Sequence, residues 1–142
     1  MKIIFLNLII GLVSLILAAE SSGFIKKLNG EVNIQRNDKV IEAKIGDKIF
    51  EKDTITTKSK SSVGIIFKDN TLISLGSNTE FEIEEYIFNP AENKQSFISQ
   101  IRKGTMTGLT GLMSKLNPDA MKIKAKTASM GIRGTHFSIS VD

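Results

Sequence analysis

Apolar and polar residues alternate with a period of two along much of this chain, and that restricts those stretches to strands. Val32 and Ile34 alternate with Glu31, Asn33 and Gln35. Val63, Ile65 and Phe67 repeat the pattern, and Phe81 and Ile83 alternate with Glu80, Glu82 and Glu84. Successive strand side chains point to opposite faces, so this spacing buries one face and wets the other. Turn formers stand between the runs: Asn37-Asp38, Lys68-Asp69-Asn70-Thr71, Gly76-Ser77-Asn78 and Asn89-Pro90-Ala91-Glu92-Asn93. Asn and Asp tolerate left-handed backbone, and Pro cannot donate to a ladder. After Pro118, Met121, Ile123 and Ala125 alternate with lysines, and Phe137, Ile139 and Val141 with serines. Two strands flanking Ala128–Thr135 are expected there. Short strands at intervals of roughly ten residues predict an all-β domain, a single compact β-sandwich or roll of short, mostly antiparallel strands. One stretch departs from the pattern. Leu109, Leu112, Met113 and Leu116 fall at helical spacing, but Gly104, Gly108 and Gly111 would each cost ~1 kcal/mol in a helix interior. One short helix near 108–116 and a further strand are both open.

The first nineteen residues read as an address. Met1-Lys2 is followed by an apolar stretch from Ile3 to Leu17, then Ala18-Ala19 and the polar Glu20-Ser21-Ser22. A basic start, an apolar middle and small residues before a polar break form a secretory signal peptide. As a helix the apolar stretch would reach about 22 Å, short of a ~30 Å hydrocarbon core. Residues 1–19 are expected to be cleaved after Ala19, leaving 20–142 as one domain in the periplasm. A retained anchor is the alternative, and it also exports the rest.

The remaining composition excludes more chemistry than it suggests. The 142 residues contain no Cys, which removes disulfides, thiol nucleophiles, Cys-ligated metals and a lipid-modified leader. The net charge of +4 becomes +3 without Lys2. Lys122, Lys124 and Lys126 would line one strand face, which reads as a solvated face rather than a nucleic-acid surface. His136 is the only histidine, so a Ser–His–Asp arrangement has one possible base, set in a terminal strand. Glu80, Glu82, Glu84 and Glu85 could pair as glycosidase carboxylates, but a wet strand face explains them, and the chain has no Trp to stack a sugar. Gly131-Ile132-Arg133-Gly134-Thr135 lacks both common phosphate-loop fingerprints and reads as a tight turn in which both glycines permit positive φ.

Residues 117–137 carry a family resemblance. Asn117-Pro118-Asp119-Ala120-Met121-Lys122-Ile123-Lys124, followed by Thr127-Ala128-Ser129-Met130-Gly131-Ile132-Arg133-Gly134-Thr135-His136-Phe137, resembles the signature end of the FecR domain. Gly30-Glu31-Val32, Gly46-Asp47-Lys48-Ile49, Asp53 to Thr57, Ser61 to Thr71 and Leu75 to Asn78 resemble it upstream, in the same order, over about residues 24–142. Lys124-Ala125-Lys126 departs from the Thr-Pro pair common there. The resemblance implies an extracytoplasmic all-β fold and protein–protein contact in envelope signalling. Only Met1-Lys2 precede the apolar stretch, so direct regulation of a sigma factor is not implied.

These readings converge on an exported, non-enzymatic envelope module that binds, scaffolds or signals through another envelope protein. A periplasmic carbohydrate- or peptidoglycan-binding module is the alternative, and a secreted hydrolase is disfavoured. No catalytic residue, metal, cofactor or nucleic-acid partner is expected, and the membrane is met only through the leader. The candidate binding residues are Gly131, Arg133, Gly134 and Thr135. Arg133 has two possible roles. The leading one bonds a buried carboxylate or turn carbonyls, and the other projects outward to anchor a partner.

Overall fold

The computed structural model describes residues 20–126 and 128–142, so the proposed leader, residues 1–19, lies outside the described residues. Twelve strands form one sheet curled into a half-barrel. They are β1 (Gly23–Asn29), β2 (Val32–Arg36), β3 (Lys39–Glu42), β4 (Lys48–Ile49), β5 (Thr54–Thr57), β6 (Ser62–Phe67), β7 (Leu72–Leu75), β8 (Glu80–Asn89), β9 (Lys94–Leu109), β10 (Met121–Ala125), β11 (Ala128–Gly131) and β12 (His136–Val141). A single 3-10 turn, Pro90–Glu92, and a short helix, α1 (Leu112–Leu116), complete the set. Among the described residues no helix is long and apolar enough to cross a membrane.

The strand order is β3-β2-β5-β8-β9-β7-β6-β1-β4, with β10 and β12 also attached to β9 and β11 attached to β10. The long β9 explains this branching. Its first half pairs with β8 on one side and β10 on the other, and its second half lies between β7 and β12. The joint is Gly104, at φ +100. A Cβ there would sit 2.5 Å from the Thr79 Cα, so only glycine lets the strand turn this corner against its neighbour. Strands that change neighbours at a bend are how a sheet folds over on its own core.

The period-two runs become strands as expected, and their apolar residues fill the interior. Ile25, Ile55, Ile65, Phe81, Ile83 and Ile101 are fully buried, each adding about 1.5–3 kcal/mol relative to an exposed side chain. Phe67, Tyr86 and Phe97 form an aromatic cluster with ring centroids 4.6–5.4 Å apart. The Asn37-Asp38 turn has both residues left-handed, at φ 50 and 65, which matches the right-handed twist of β2 and β3.

Two expectations need correction. The strands are not all short: β9 spans 16 residues, because Gly104 and Gly108 are accommodated within it rather than ending it. The Phe137 ring covers Gly108 so closely that a Cβ would lie 2.3 Å from it. The short helix expected near 108–116 is present at Leu112–Leu116, and β9 takes the residues up to Leu109. Finally, residues 128–131 are a strand themselves, pairing with β10, while β10 runs parallel to β9.

Arg36 ties β2 to the far end of the sheet. Its Nε and Nη2 each donate to the Asp53 carboxylate at 2.8 Å, and Nη2 also reaches the Lys48 carbonyl on β4 at 3.1 Å. Asp53 is fully buried and also accepts from the Phe50 N–H at 2.8 Å. The guanidinium lies 4.6 Å from the Phe50 ring centroid. The hydrogen bonding to Asp53 raises the Arg36 pKa above its ordinary value.

Candidate functional site

Gly131 ends β11 and the other three candidate residues lie in the connection to β12, which is fixed at both ends. Ile132 tucks into the core and donates its N–H to the Met121 carbonyl at 3.0 Å. On the other side the Thr110 N–H donates to the Thr135 carbonyl at 2.9 Å, and the Thr110 hydroxyl donates to the Gly134 carbonyl at 2.6 Å. Gly134 sits at φ +102, a conformation that side chains rarely adopt. Gly131 does not have positive φ, and a Cβ there would meet nothing within 4 Å. Only one of the two glycines is therefore needed for its backbone conformation.

Arg133 stands on this fixed stem with its side chain 73% exposed. Its Nη2 donates to Asp119 Oδ1 at 2.6 Å, and that carboxylate is itself 71% exposed. The acceptor is thus neither buried nor a turn carbonyl. Exposed pairs of this kind contribute about 0–1 kcal/mol, so the loop's shape does not depend on this guanidinium.

Apolar side chains that the core leaves uncovered stand on both sides of Thr110, the residue that bonds the loop. Leu109, at the end of β9, is the cross-strand neighbour of His136 and is 47% exposed. Leu112 and Leu116, one helical turn apart on α1, are 45% and 52% exposed, while Met113 between them is fully buried. Exposed large apolar side chains and an exposed arginine are the residue types enriched in protein-contact patches. Sequence spacing singled out these leucines only as helix formers, because their exposure depends on which side of α1 meets the core.

A buried carboxylate holds α1 in place. Asp69, in the β6–β7 turn, is fully buried, and its oxygens accept from the Thr71 N–H and hydroxyl, the Tyr86 hydroxyl and the Met113 N–H at 2.8–3.2 Å. The Asp69 carbonyl also accepts from the Leu112 N–H at 2.8 Å, and the Thr71 hydroxyl from the Gly111 N–H at 3.1 Å. The first turn of α1 is thereby satisfied from another hairpin, since Gly111 has no side chain to cap it. Asp69 was legible only as turn punctuation.

Tyr86 carries a direct test of this network, as the only tyrosine in the chain. Burial, and next the Asp69 charge, raise its pKa well above the ordinary value near 10. The folded state keeps the proton that the unfolded chain loses, so this contribution is complete below about pH 10 and declines as pH rises beyond it. In an alkaline titration, tyrosinate absorbance should stay flat and then rise together with loss of the circular dichroism signal. Smooth ionisation near pH 10 with the fold intact would refute the buried hydroxyl–carboxylate bond.

The other residues of interest form cross-strand ladders. Glu80 and Glu82 both bond Arg102, Glu84 accepts from Lys124 Nζ at 2.8 Å, and Glu85 accepts from the Ser96 hydroxyl. Opposite charges account for Glu80, Glu82 and Glu84, and a serine hydroxyl for Glu85. Lys124 is thereby drawn from the lysine row, and Lys126 occupies a left-handed turn position at φ 52. His136 is exposed at the start of β12. A cavity of about 660 Å³ lies elsewhere, bordered by Phe50, Tyr86 and Phe88 with Glu51, Lys68 and Asn89.

No curated protein matches this chain. A solved structure described as a cell surface anchoring domain is 36% identical over 44% of this chain and 83% of its own, with a TM-score of 0.42. The family model described as FecR protein matches residues 53–142, from Asp53 through the Arg133 loop to the end of β12. Gly30-Glu31-Val32 and Gly46-Asp47-Lys48-Ile49 lie outside that match, although their strands complete the same sheet. With 90 of its 142 residues (53 to 142 inclusive) matched by that model, the chain belongs to the FecR family.

Proposed function

We propose that this chain is an exported, non-enzymatic module of the bacterial cell envelope that binds another envelope protein through the Arg133 loop and its neighbouring leucines. The observation that carries this reading is the exposed guanidinium of Arg133 on a stem fixed by Ile132, Gly134 and Thr110, beside Leu109, Leu112 and Leu116. An exposed arginine and exposed leucines on the segment bonded to its loop supply both the directional bonds and the apolar area that interface hot spots use. Export rests on the leader, which delivers residues 20–142 to the periplasm.

A photocrosslinkable residue placed at Leu112 in living cells tests the reading, with Glu42 on β3 as control. The expected result is one discrete adduct with an envelope protein from Leu112, none from Glu42, and a mature N-terminus near Glu20. Equal labelling from both positions would overturn it. The carbohydrate alternative would use the cavity edged by Phe50 and Phe88. Retention of the protein by muropeptides, abolished by Phe88→Ala, is the outcome that favours that alternative.

A further inference from the structure

Among the described residues, the edge of β12 lacks the usual protection. Sheet edges expose unpaired N–H and C=O groups, and proteins blunt them with charged residues, prolines, bulges or short length. β3 is four residues long and carries Lys39 and Glu42, β4 has two residues, and β11 has four. β12 is His136–Val141, paired with β9 alone among the described residues, with no register shift, no proline and no lysine. Its inward side chains Phe137, Ile139 and Val141 pack against the core but remain partly exposed.

The backbone orientation of that edge follows from the ladder. Thr110 donates to the Thr135 carbonyl, so the pairs Gly108↔Phe137, Met106↔Ile139 and Gly104↔Val141 are the hydrogen-bonded ones. Thr105 faces the other way, accepting from the Gly76 N–H. His136, Ser138 and Ser140 therefore point their N–H and C=O groups outward.

We infer that β12 pairs antiparallel with β12 of a second copy, with the two-fold axis between the two Ile139 residues. Antiparallel pairing requires outward-facing residues to oppose each other, and this register does so. Ser138 faces Ser140 of the second copy in a hydrogen-bonded pair, and Phe137 faces Val141 in a closer, non-hydrogen-bonded pair. Ile139 meets itself, and His136 faces Asp142 of the second copy, so an imidazole N–H can donate to a carboxylate at each end. Each copy offers the same surface to the other, as an isologous dimer requires. The half-covered Phe137, Ile139 and Val141 then continue across one sheet. This dimer does not rest on the binding reading above, because it is measured on the purified protein alone.

Sedimentation of wild type and Ser138→Pro tests it. Proline at 138 removes an outward N–H while leaving the β9 ladder intact, and an edge strand tolerates it there. Wild type should sediment as a dimer, with dissociation in Ser138→Pro increased roughly tenfold or more because symmetry makes the change twice. A charge exchange covers the case in which Ser138→Pro misfolds. His136→Glu and Asp142→Lys should each weaken the dimer, and the double variant should restore it. A monomeric wild type, or a dimer indifferent to both sets of changes, would overturn the inference.

Discussion

Replacing Asp69 by alanine should lower stability by about 3–5 kcal/mol, one of the two largest single-residue losses in this fold. The carboxylate is fully buried and accepts four bonds from Thr71, Tyr86 and Met113. Removing it leaves a half-buried phenol, a hydroxyl and two backbone N–H groups unpaired at once, at ~1–3 kcal/mol for each that cannot find water. Asp69→Asn should recover only part of the loss, because its NH2 would face other donors. The Tm should fall by roughly 10–20 °C in the alanine variant. The loss should be greatest around α1, whose first turn relies on Asp69, so backbone exchange at Leu112 and Met113 should accelerate first. A loss below about 1 kcal/mol would mean that α1 is held by its apolar packing alone.

Gly104→Ala is the second. At φ +100 an L-residue is strained by ~1–3 kcal/mol, and the new methyl would overlap the Thr79 Cα, Cβ and hydroxyl at 2.1–2.6 Å. That neighbour cannot step aside freely, since the Thr79 hydroxyl accepts from the Thr105 N–H at 3.0 Å and its own N–H donates to Thr57 at 2.9 Å. A combined loss above 4 kcal/mol is expected, enough to prevent folding of a marginal domain. Denaturant unfolding of Gly104→Ala beside Gly131→Ala makes the comparison, because a Cβ at Gly131 meets open space. Similar stability of the two variants would show that β9 does not need its sharp corner.

Local chemistry made much of this architecture readable in the sequence. Alternation located the strands around Val32, Val63, Phe81, Met121 and Phe137, and Asn37-Asp38 announced a hairpin whose two left-handed residues are present. Features set by distant partners were not readable. Gly104 and Gly108 look like strand breakers until Thr79 and Phe137 are placed against them. Asp53 and Asp69 resemble ordinary turn residues, and their burial depends on Arg36, Tyr86 and Met113, up to 44 positions away. The parallel pairing of β10 with β9 leaves no local trace, since strand direction is fixed by the path between strands. At the candidate site the sequence identified the loop and its arginine. It favoured a buried acceptor for Arg133, whereas the acceptor is the exposed Asp119. The leucines beside the loop carried a helical signal without any sign of which would remain uncovered.

Arg133→Ala, measured for stability and for capture of the protein crosslinked at Leu112, tests the proposed binding face most directly. The exposed Asp119 pair contributes no more than about 1 kcal/mol, so the variant should melt close to wild type. Loss of an interface arginine should nevertheless weaken partner capture by about 2 kcal/mol or more, roughly thirtyfold in Kd. A variant that melts like wild type and binds its partner equally well would contradict the assignment of this loop as the recognition surface.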